Sequence, residues 1–422
     1  MYTLRDYQRE ASDRAVRFFS DTRSNRNGLL ILPTGAGKSL ICADIARQLR
    51  GDLLILQPSK EILEQNYSKY RSFGLSDGAV YSASMSRKEI GKVTFATIKS
   101  IMSHVDDFSH FEAVIVDEAH CVNALGGQYE EFLTRVRRKV LGMTATPYRL
   151  YSQQGVRLDD GTFLPNGGYK EEDYFVDPYT PMPGVELGNA CILKFITRTR
   201  PRIFHDVIYS VSVRSLLDKG FLSPLRYFDL TQIDTRRVRR NSTGRDYDEG
   251  ALSDEFARVG LVDQLSDIVQ RLLRPKSGVP RKGILVFTRF IDEARSLAQR
   301  VLCVAIVTGE TPKREREKII EDFKAGRIKV VANVGVLTTG FDYPELDTIV
   351  MARPTMSLAL WYQIVGRALR PCEGKDAWVV DIGGNLRRFG KVEDLDMEGT
   401  SGKYFFSGVV GGERKQLTNI YF

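Results

Sequence analysis

The sequence predicts an α/β fold of two tandem domains, each a mostly parallel sheet with helices on both faces, plus an insertion after the first. Three observations carry this. Short apolar runs alternate with amphipathic stretches in two series, from Gly28 to Met143 and from Gly283 to Val380. Buried parallel strands read as continuous apolar runs, and the crossovers between them are usually helices. Between the series, from Tyr151 to about Pro201, the pattern dissolves into turn-forming residues. Finally, the polar clusters fall just after the apolar runs, and in parallel sheets ligands gather at the carboxyl ends of the strands.

Bulk properties set the frame. A chain of 422 residues is too long for one ordinary core. Its 42% hydrophobic and 27% charged content is that of a globular protein. No apolar run approaches the ~20 residues that span a membrane, so no membrane association is expected. The opening Met-Tyr-Thr-Leu-Arg-Asp-Tyr lacks the apolar core of a signal peptide, and the expected location is cytoplasmic. Cys42, Cys121, Cys191, Cys303 and Cys372 lie far apart without any Cys-x-x-Cys pair; reduced thiols are expected, and neither zinc nor disulfides. A net charge of +8 favours a polyanionic partner.

In chain order, Leu4-Arg5-Asp6-Tyr7-Gln8 opens a helix carrying Ala11, Ala15, Val16 and Phe19. A glutamine amide can pair with both the N6 donor and the N7 acceptor of adenine. The strand Gly28–Ile31 leads into Leu32-Pro33-Thr34-Gly35-Ala36-Gly37-Lys38-Ser39, and Ile41, Ile45 and Leu49 then share one helical stripe before a stop at Gly51. Strand, Gly-rich turn, GKS and helix form a phosphate cradle. Backbone N–H groups and the helix N-terminus face an anion, the lysine reaches the terminal phosphates, and the serine hydroxyl sits on Mg²⁺. The strict pattern has glycine where this chain has Leu32. A second strand, Asp52–Leu56, precedes a helix from Ser59, and Val93–Thr97 is a third. Ala113–Val116 runs into Asp117-Glu118-Ala119-His120, and Lys139–Met143 into Thr144-Ala145-Thr146-Pro147.

The segment after Arg149 carries Asp159-Asp160-Gly161, Asn166-Gly167-Gly168 and a Pro-rich stretch from Asp177 to Gly184, and reads as loops and short hairpins. A helix over Val213–Lys219 stops at Gly220, and Thr235–Arg240 is a basic run read as part of an interdomain linker, either solvated or in contact with phosphates. A helix with Val262, Leu265, Val269 and Leu272 is broken by Pro275. The second series has strands at 284–287, 304–307, 329–332, 348–351 and 377–380, with no second phosphate loop. The expected boundaries are 1–150 and 276–390 for the two domains, 151–230 for the insertion and connecting segment, 231–275 for the linker and its helix, and 391–422 for a polar, glycine-rich tail without assignment.

Adjacent acids at a strand end suit two jobs: Asp117 holds Mg²⁺ and Glu118 orients the attacking water, since phosphoryl transfer needs positioning and charge neutralisation more than covalent chemistry. In the second domain Gln363, Arg367 and Arg370 stand at i, i+4 and i+7 and, on a helix, fall within roughly 60° of arc. Leu358, Trp361, Val365, Ala368 and Leu369 take the opposite side. Such a face offers an amide and two guanidiniums as arginine fingers toward a γ-phosphate, which explains a second α/β domain lacking its own phosphate loop.

The ordered set LRDYQ, LPTGAGKS, DEAH, TATP, TTGFD and QxxGRxxR resembles the superfamily 2 helicases over residues 1–385 apart from the insertion. Within them it is most similar to RadD-type DNA repair helicases near the restriction-enzyme-like branch. It lacks their C-terminal cysteine-rich zinc region, and the insertion departs from that group. The resemblance implies two RecA-like domains that use ATP and Mg²⁺. It implies that Arg5 and Gln8 hold adenine, that Thr34, Gly35, Ala36, Gly37, Lys38 and Ser39 hold phosphates, and that Gly340 and Asp342 contact the water and ribose side of ATP. Thr144 and Thr146, with His120, would couple hydrolysis to domain motion. Ser59, Lys60, Thr97, Thr288 and Thr338 would line the nucleic-acid path.

The leading expectation is an ATP-dependent helicase or translocase on single-stranded or forked DNA, acting as a monomer, with a protein partner left open. The alternatives are an RNA helicase and the motor subunit of a restriction or defence complex that moves on double-stranded DNA. A metabolic kinase on the same phosphate loop would need none of TATP, TTGFD or the three-residue face. Intact Glu118, Arg367 and Arg370 argue against a non-hydrolysing scaffold.

Overall fold

The computed structural model describes residues 3–157, 163–165, 175–176, 186–337, 341–400 and 402–421. The chain forms two compact units. The first comprises Met1–Arg149, Lys194–Leu216 and Met397–Phe405; the second comprises Leu150–Leu193, Leu217–Asp396 and Phe406–Phe422.

In the first unit the chain runs α1 (Asp6–Ser20), β1 (Gly28–Ile31), α2 (Lys38–Gln48), β2 (Leu53–Gln57), α3 (Lys60–Ser72), β3 (Gly78–Ser82), β4 (Arg87–Lys88), β5 (Val93–Thr97), α4 (Ile98–Ile101), β6 (Ala113–Asp117), α5 (Gln128–Val136) and β7 (Lys139–Thr144). The next strands, β8 (Tyr148–Arg157), β9 (Phe163–Pro165), β10 (Phe175–Val176) and β11 (Glu186–Phe195), lie mainly in the second unit, and β12 (Asp206–Ser210) returns to the first. The sheet has the order β12-β1-β7-β6-β2-β5-β3-β4, parallel throughout except for β4. The apolar runs are buried along their length in β1, β2, β5 and β6, as a sheet covered on both faces requires. Sequence order would separate β7 from β1, yet β7 lies between β1 and β6. Gly142 permits this: a Cβ there would stand 2.7 Å from the Ala119 Cβ and 2.7 Å from a Leu29 methyl.

In the second unit, α6 (Val213–Asp218) leads in from the first. It is followed by β13 (Leu225–Asp229), α7 (Glu249–Val259), α8 (Leu261–Leu273), β14 (Ile284–Phe287), α9 (Ile291–Arg300), β15 (Val304–Val307), α10 (Lys313–Lys324), β16 (Val330–Asn333), β17 (Thr348–Met351), α11 (Leu358–Val365), β18 (Ala377–Asp381) and α12 (Asn385–Phe389). The sheet order is β13-β18-β17-β14-β16-β15, all parallel. The segment 231–275 lies inside this unit and carries α7 and α8, whose apolar side is Leu261, Leu265, Val269 and Leu272. Two members of the basic run are tied to acids: Arg236 to Asp234 at 2.9 Å and Arg239 to Asp248 at 3.2 Å.

The insertion builds a sheet of order β10-β22-β11-β8-β9, in which the C-terminal β22 (Ile420–Tyr421) lies between β10 and β11. The turn clusters 159–161, 166–168 and 177–184 fall outside the described residues. The tail, unassigned from sequence, forms β19 (Asp396–Glu398), β20 (Phe405–Val410) and β21 (Glu413–Gln416); β20 and β21 make a hairpin whose turn residues Gly411 and Gly412 have φ of 62° and 86°. Among the described residues no helix is long and apolar enough to cross a membrane.

One buried acid organises the carboxyl edge of the second sheet. Asp381, at the end of β18, accepts from the backbone N–H of Gly383 (3.1 Å) and Leu386 (2.6 Å) and from the Asn385 amide (3.0 Å). Burial outweighs these donors and pushes its carboxyl up to about 6. Its folded value lies above that of the unfolded chain. The fold therefore retains a proton that the unfolded chain has lost between pH ~4 and ~6, and this contribution to stability falls as pH rises through that window. The urea midpoint of the full chain should show this downward component from about pH 4.5 to 6.5. Asp381→Asn should remove it and cost about 1–3 kcal/mol, because Leu386 N–H then faces a donor. An unchanged pH slope in the variant would count against this account.

Candidate nucleotide-hydrolysis site

Leu32, where the strict phosphate-loop pattern has glycine, is fully buried, and its N–H donates to the Thr144 carbonyl (3.0 Å), extending β1 by one residue against β7. The loop then turns through Gly35 (φ 85°) and Gly37 (φ 77°), left-handed backbone that favours glycine. Gly37 caps α2, its carbonyl accepting from Leu40 (2.9 Å) and Ile41 (3.2 Å). The N–H groups at the start of α2 have no helical partners, which makes this end a site for anions. Thr34, Gly35, Gly37, Lys38 and Ser39 are half-buried there, and Ala36 is buried.

The loop is braced from α1. Tyr7 Oη and Gln8 Nε2 both donate to the Ala36 carbonyl, at 2.9 and 3.0 Å, while Gln8 Oε1 accepts from Arg5 N–H at 3.0 Å. A Cβ on Gly37 would stand 2.5 Å from Gln8 Nε2, so the glycine also makes room for this amide. Both functional groups of Gln8 are thus engaged with protein. Tyr7 was not singled out from sequence.

Asp117 closes β6 and is 5% exposed. Its Oδ1 accepts from the Glu118 N–H (2.9 Å) and its Oδ2 from Asn66 Nδ2 (2.7 Å); the Asn66 Oδ1 in turn accepts from the Ser39 hydroxyl (2.5 Å). Burial, reinforced by the Glu118 charge, pushes the Asp117 carboxyl up to about 6, against the pull of Lys38 and the Asn66 amide. The donor set, one hydroxyl and one carboxylate, fits Mg²⁺, a hard cation that takes few protein oxygens and completes its octahedron from water and phosphate. Asn66 escaped the sequence reading. The available signal was a polar residue on the buried stripe Ile62, Leu63, Asn66, Tyr70 of α3.

Glu118 sits in left-handed backbone (φ 51°), which turns the chain sharply at the strand end. Its carboxylate lies 3.3 Å from His120 Nδ1, and the same nitrogen is 3.0 Å from Thr144 Oγ1. Burial holds the imidazole below its usual value despite the Glu118 charge, so it is neutral at pH 7. Thr144 Oγ1 also accepts from Thr146 N–H (3.0 Å). The structure therefore brings together Lys38, Ser39, Asp117, Glu118, His120, Thr144 and Thr146.

At the same carboxyl edge Ser59 caps α3 by accepting from Ile62 N–H (3.4 Å), Lys60 pairs with Glu64 (3.3 Å), and the Thr97 hydroxyl is 2.7 Å from that of Ser100. Gln57 and Thr97 are registered partners, so these residues share one stretch of sheet edge.

In the second unit the stretch expected as one helix carrying Gln363, Arg367 and Arg370 is α-helical only to Val365. From there the bonds tighten to i→i−3, Arg367 N–H to Ile364 and Ala368 N–H to Val365, and Arg367 and Arg370 lie in the turn that follows. Gly366 sits at the helix end, where a tighter last turn satisfies carbonyls that lack helical partners. Arg367 donates to the Phe341 carbonyl (2.8 Å) and Arg370 pairs with Asp342. Burial pushes the Arg370 guanidinium down to about 10, which leaves it charged at neutral pH. Gln363 is half-buried on α11. Thr288 follows β14, its N–H donating to the Asn333 carbonyl (3.2 Å). Thr338 and Gly340 lie outside the described residues.

Residues 1–149 match the family described as type III restriction enzyme, res subunit, and residues 264–372 match the helicase conserved C-terminal domain. The chain is similar to a 51.5 kDa protein of Lactococcus phage (isolate 7-9), at 26% identity over 83% of this chain and 64% of that one. It is similar also to the DNA 3'-5' translocase XPB2 of Sulfurisphaera tokodaii, at 26% identity over 90% and 81%. Among solved structures the ATP-dependent type ISP restriction-modification enzyme LlaBIII bound to DNA shares the fold, with a TM-score of 0.59 at 17% identity, over 90% of this chain and 28% of that one. The chain thus spans less than two thirds of the phage protein and less than a third of the restriction enzyme. With both matches in this order along the sequence, the chain carries a ResIII domain followed by a helicase conserved C-terminal domain, as do the superfamily 2 helicases that it resembles.

Proposed function

We propose that the chain is an ATP-dependent motor that translocates on DNA, with or without strand separation. The observation that carries this reading is the bonded path from Glu118 through His120 to Thr144 and Thr146, which ties the hydrolytic acid to a strand-end loop. A small-molecule kinase has no use for such a link. In this reading Thr34 to Ser39 hold the phosphates, with Arg5 and Gln8 beside the base. Ser39 and Asp117 hold Mg²⁺, which when bound screens the phosphate charge. Glu118 takes the proton from the attacking water, and His120 holds that carboxylate in place.

Gln363, Arg367 and Arg370 serve hydrolysis rather than nucleotide capture, and Gly340 and Asp342 contact the water and ribose side of ATP. Ser59, Lys60 and Thr97 of the first unit, with Thr288 and Thr338 of the second, are the proposed contacts to the strand, hydroxyl and ammonium donors suited to phosphate oxygens. DNA is favoured over RNA by the relative named for DNA translocation. The res-subunit match supports a second reading, a motor subunit of a restriction complex. The motor would act inside the cell, as a monomer in the first reading and with partner subunits in the second.

ATP turnover measured alone, then with single- and double-stranded DNA and RNA, tests the reading: DNA should stimulate it severalfold or more, and no stimulation by any nucleic acid would overturn it. Lys38→Ala and Glu118→Gln should each reduce turnover by at least ~10²-fold while keeping a cooperative unfolding transition; near-normal turnover in both would remove the site assignment.

Arg370→Ala should lower turnover by 10²-fold or more while changing ATP affinity less than about threefold, a split that follows from charge stabilisation confined to the transition state. Parallel losses in both would argue for a binding role instead.

A further inference from the structure

We propose that Asn66 is the positioning residue of the metal site: its carboxamide holds Ser39 and Asp117 in the orientation Mg²⁺ requires before the nucleotide arrives. The proposal rests on the reading of Ser39 and Asp117 as the protein donors to the metal. Asn66 belongs neither to the phosphate loop nor to the strand bearing the acids. It comes from α3, the helix after β2, where it is 3% exposed among Ile62, Leu63 and Tyr70. A buried amide in an apolar stripe costs free energy unless its hydrogen bonds are made, and Asn66 makes them to these two residues.

The direction of these bonds follows from chemistry. An ionised carboxylate only accepts, so the side of the amide facing Asp117 is the NH₂ group. The oxygen then faces Ser39, whose hydroxyl must donate. A serine hydroxyl has one proton and two lone pairs; with the proton given to Asn66, both lone pairs are left for a cation. Asp117 is held in the same manner, one oxygen by Asn66 and the other by the Glu118 N–H, each keeping a free lone pair. A lone Ser39 hydroxyl would rotate, and Asp117 would lose its only side-chain donor among the described residues. Partners that orient a metal's ligands typically change metal affinity by 10–100-fold when removed.

The test reads metal dependence without turnover. A fluorescent ADP analogue is titrated into the full chain in EDTA and at Mg²⁺ from micromolar to 10 mM, for the wild type, Asn66→Ala, the similarly branched Asn66→Leu, and Ser39→Ala and Asp117→Asn. Both Asn66 variants should bind the analogue in EDTA as the wild type does, which also shows that they fold. The Mg²⁺ concentration for half-maximal tightening should rise about 10–100-fold. A wild-type Mg²⁺ dependence in either Asn66 variant, with Ser39→Ala and Asp117→Asn shifted, overturns the role of Asn66 alone. If Ser39→Ala and Asp117→Asn also leave it unmoved, the assignment of the metal donors fails instead.

Discussion

The first unit depends on what Thr144 can bond at once. Its carbonyl takes the Leu32 N–H, which fixes the entry to the phosphate loop against β7; its hydroxyl takes the Thr146 N–H and lies 3.0 Å from His120, which touches Glu118. One residue thus meets the loops that follow β1, β6 and β7. This is feasible only because β7 lies between β1 and β6, and that placement in turn needs a glycine at 142, where any side chain would strike Ala119 and Leu29. A valine at 144 would preserve the shape of the strand and its carbonyl bond, but the link to His120 would be gone. Buried polar networks of this kind are strong when complete and weak when one member is missing.

Much of this was legible in the sequence, for a physical reason. Parallel strands buried on both faces leave continuous apolar runs, and the residues that break them, Thr34, Asp117 and Thr144, stand at the ligand edge. Individual strands could be read, but not their order: nothing in Lys139–Thr144 says that it enters between β1 and β6. Asn66 was hidden for a related reason, since its partners lie 27 and 51 residues away. The local pattern showed only a helix with one polar residue on its buried side.

The arginine turn shows the opposite failure. Gln363, Arg367 and Arg370 have helical spacing, and periodicity alone made them one face. The chain leaves the α-helix at Gly366 instead, and Arg367 and Arg370 are placed by contacts that periodicity does not encode, the Phe341 carbonyl and the Asp342 carboxylate. Likewise the tail has too little apolar periodicity to read by itself, because β22 finds its partners in β10 and β11, more than two hundred residues earlier. Spacing predicts a face only where the backbone stays helical, and a strand only where its neighbours are local.

The chemistry of the nucleotide end is one of charges taken out of water. Burial and mutual repulsion raise Asp117 to about 6, while burial keeps His120 neutral. Among the described residues, the Lys38 charge, the Asn66 amide and the Glu118 N–H offset part of the desolvation of Asp117. A divalent cation at Ser39 and Asp117 would reverse the sign of the local field, favouring an ionised Asp117 and drawing the phosphates in with it. The same burial that makes the empty acids costly would make each of those interactions stronger once formed, since the surroundings screen little. On the proposed reading, the fold holds these acids at a cost that a bound metal and nucleotide would relieve.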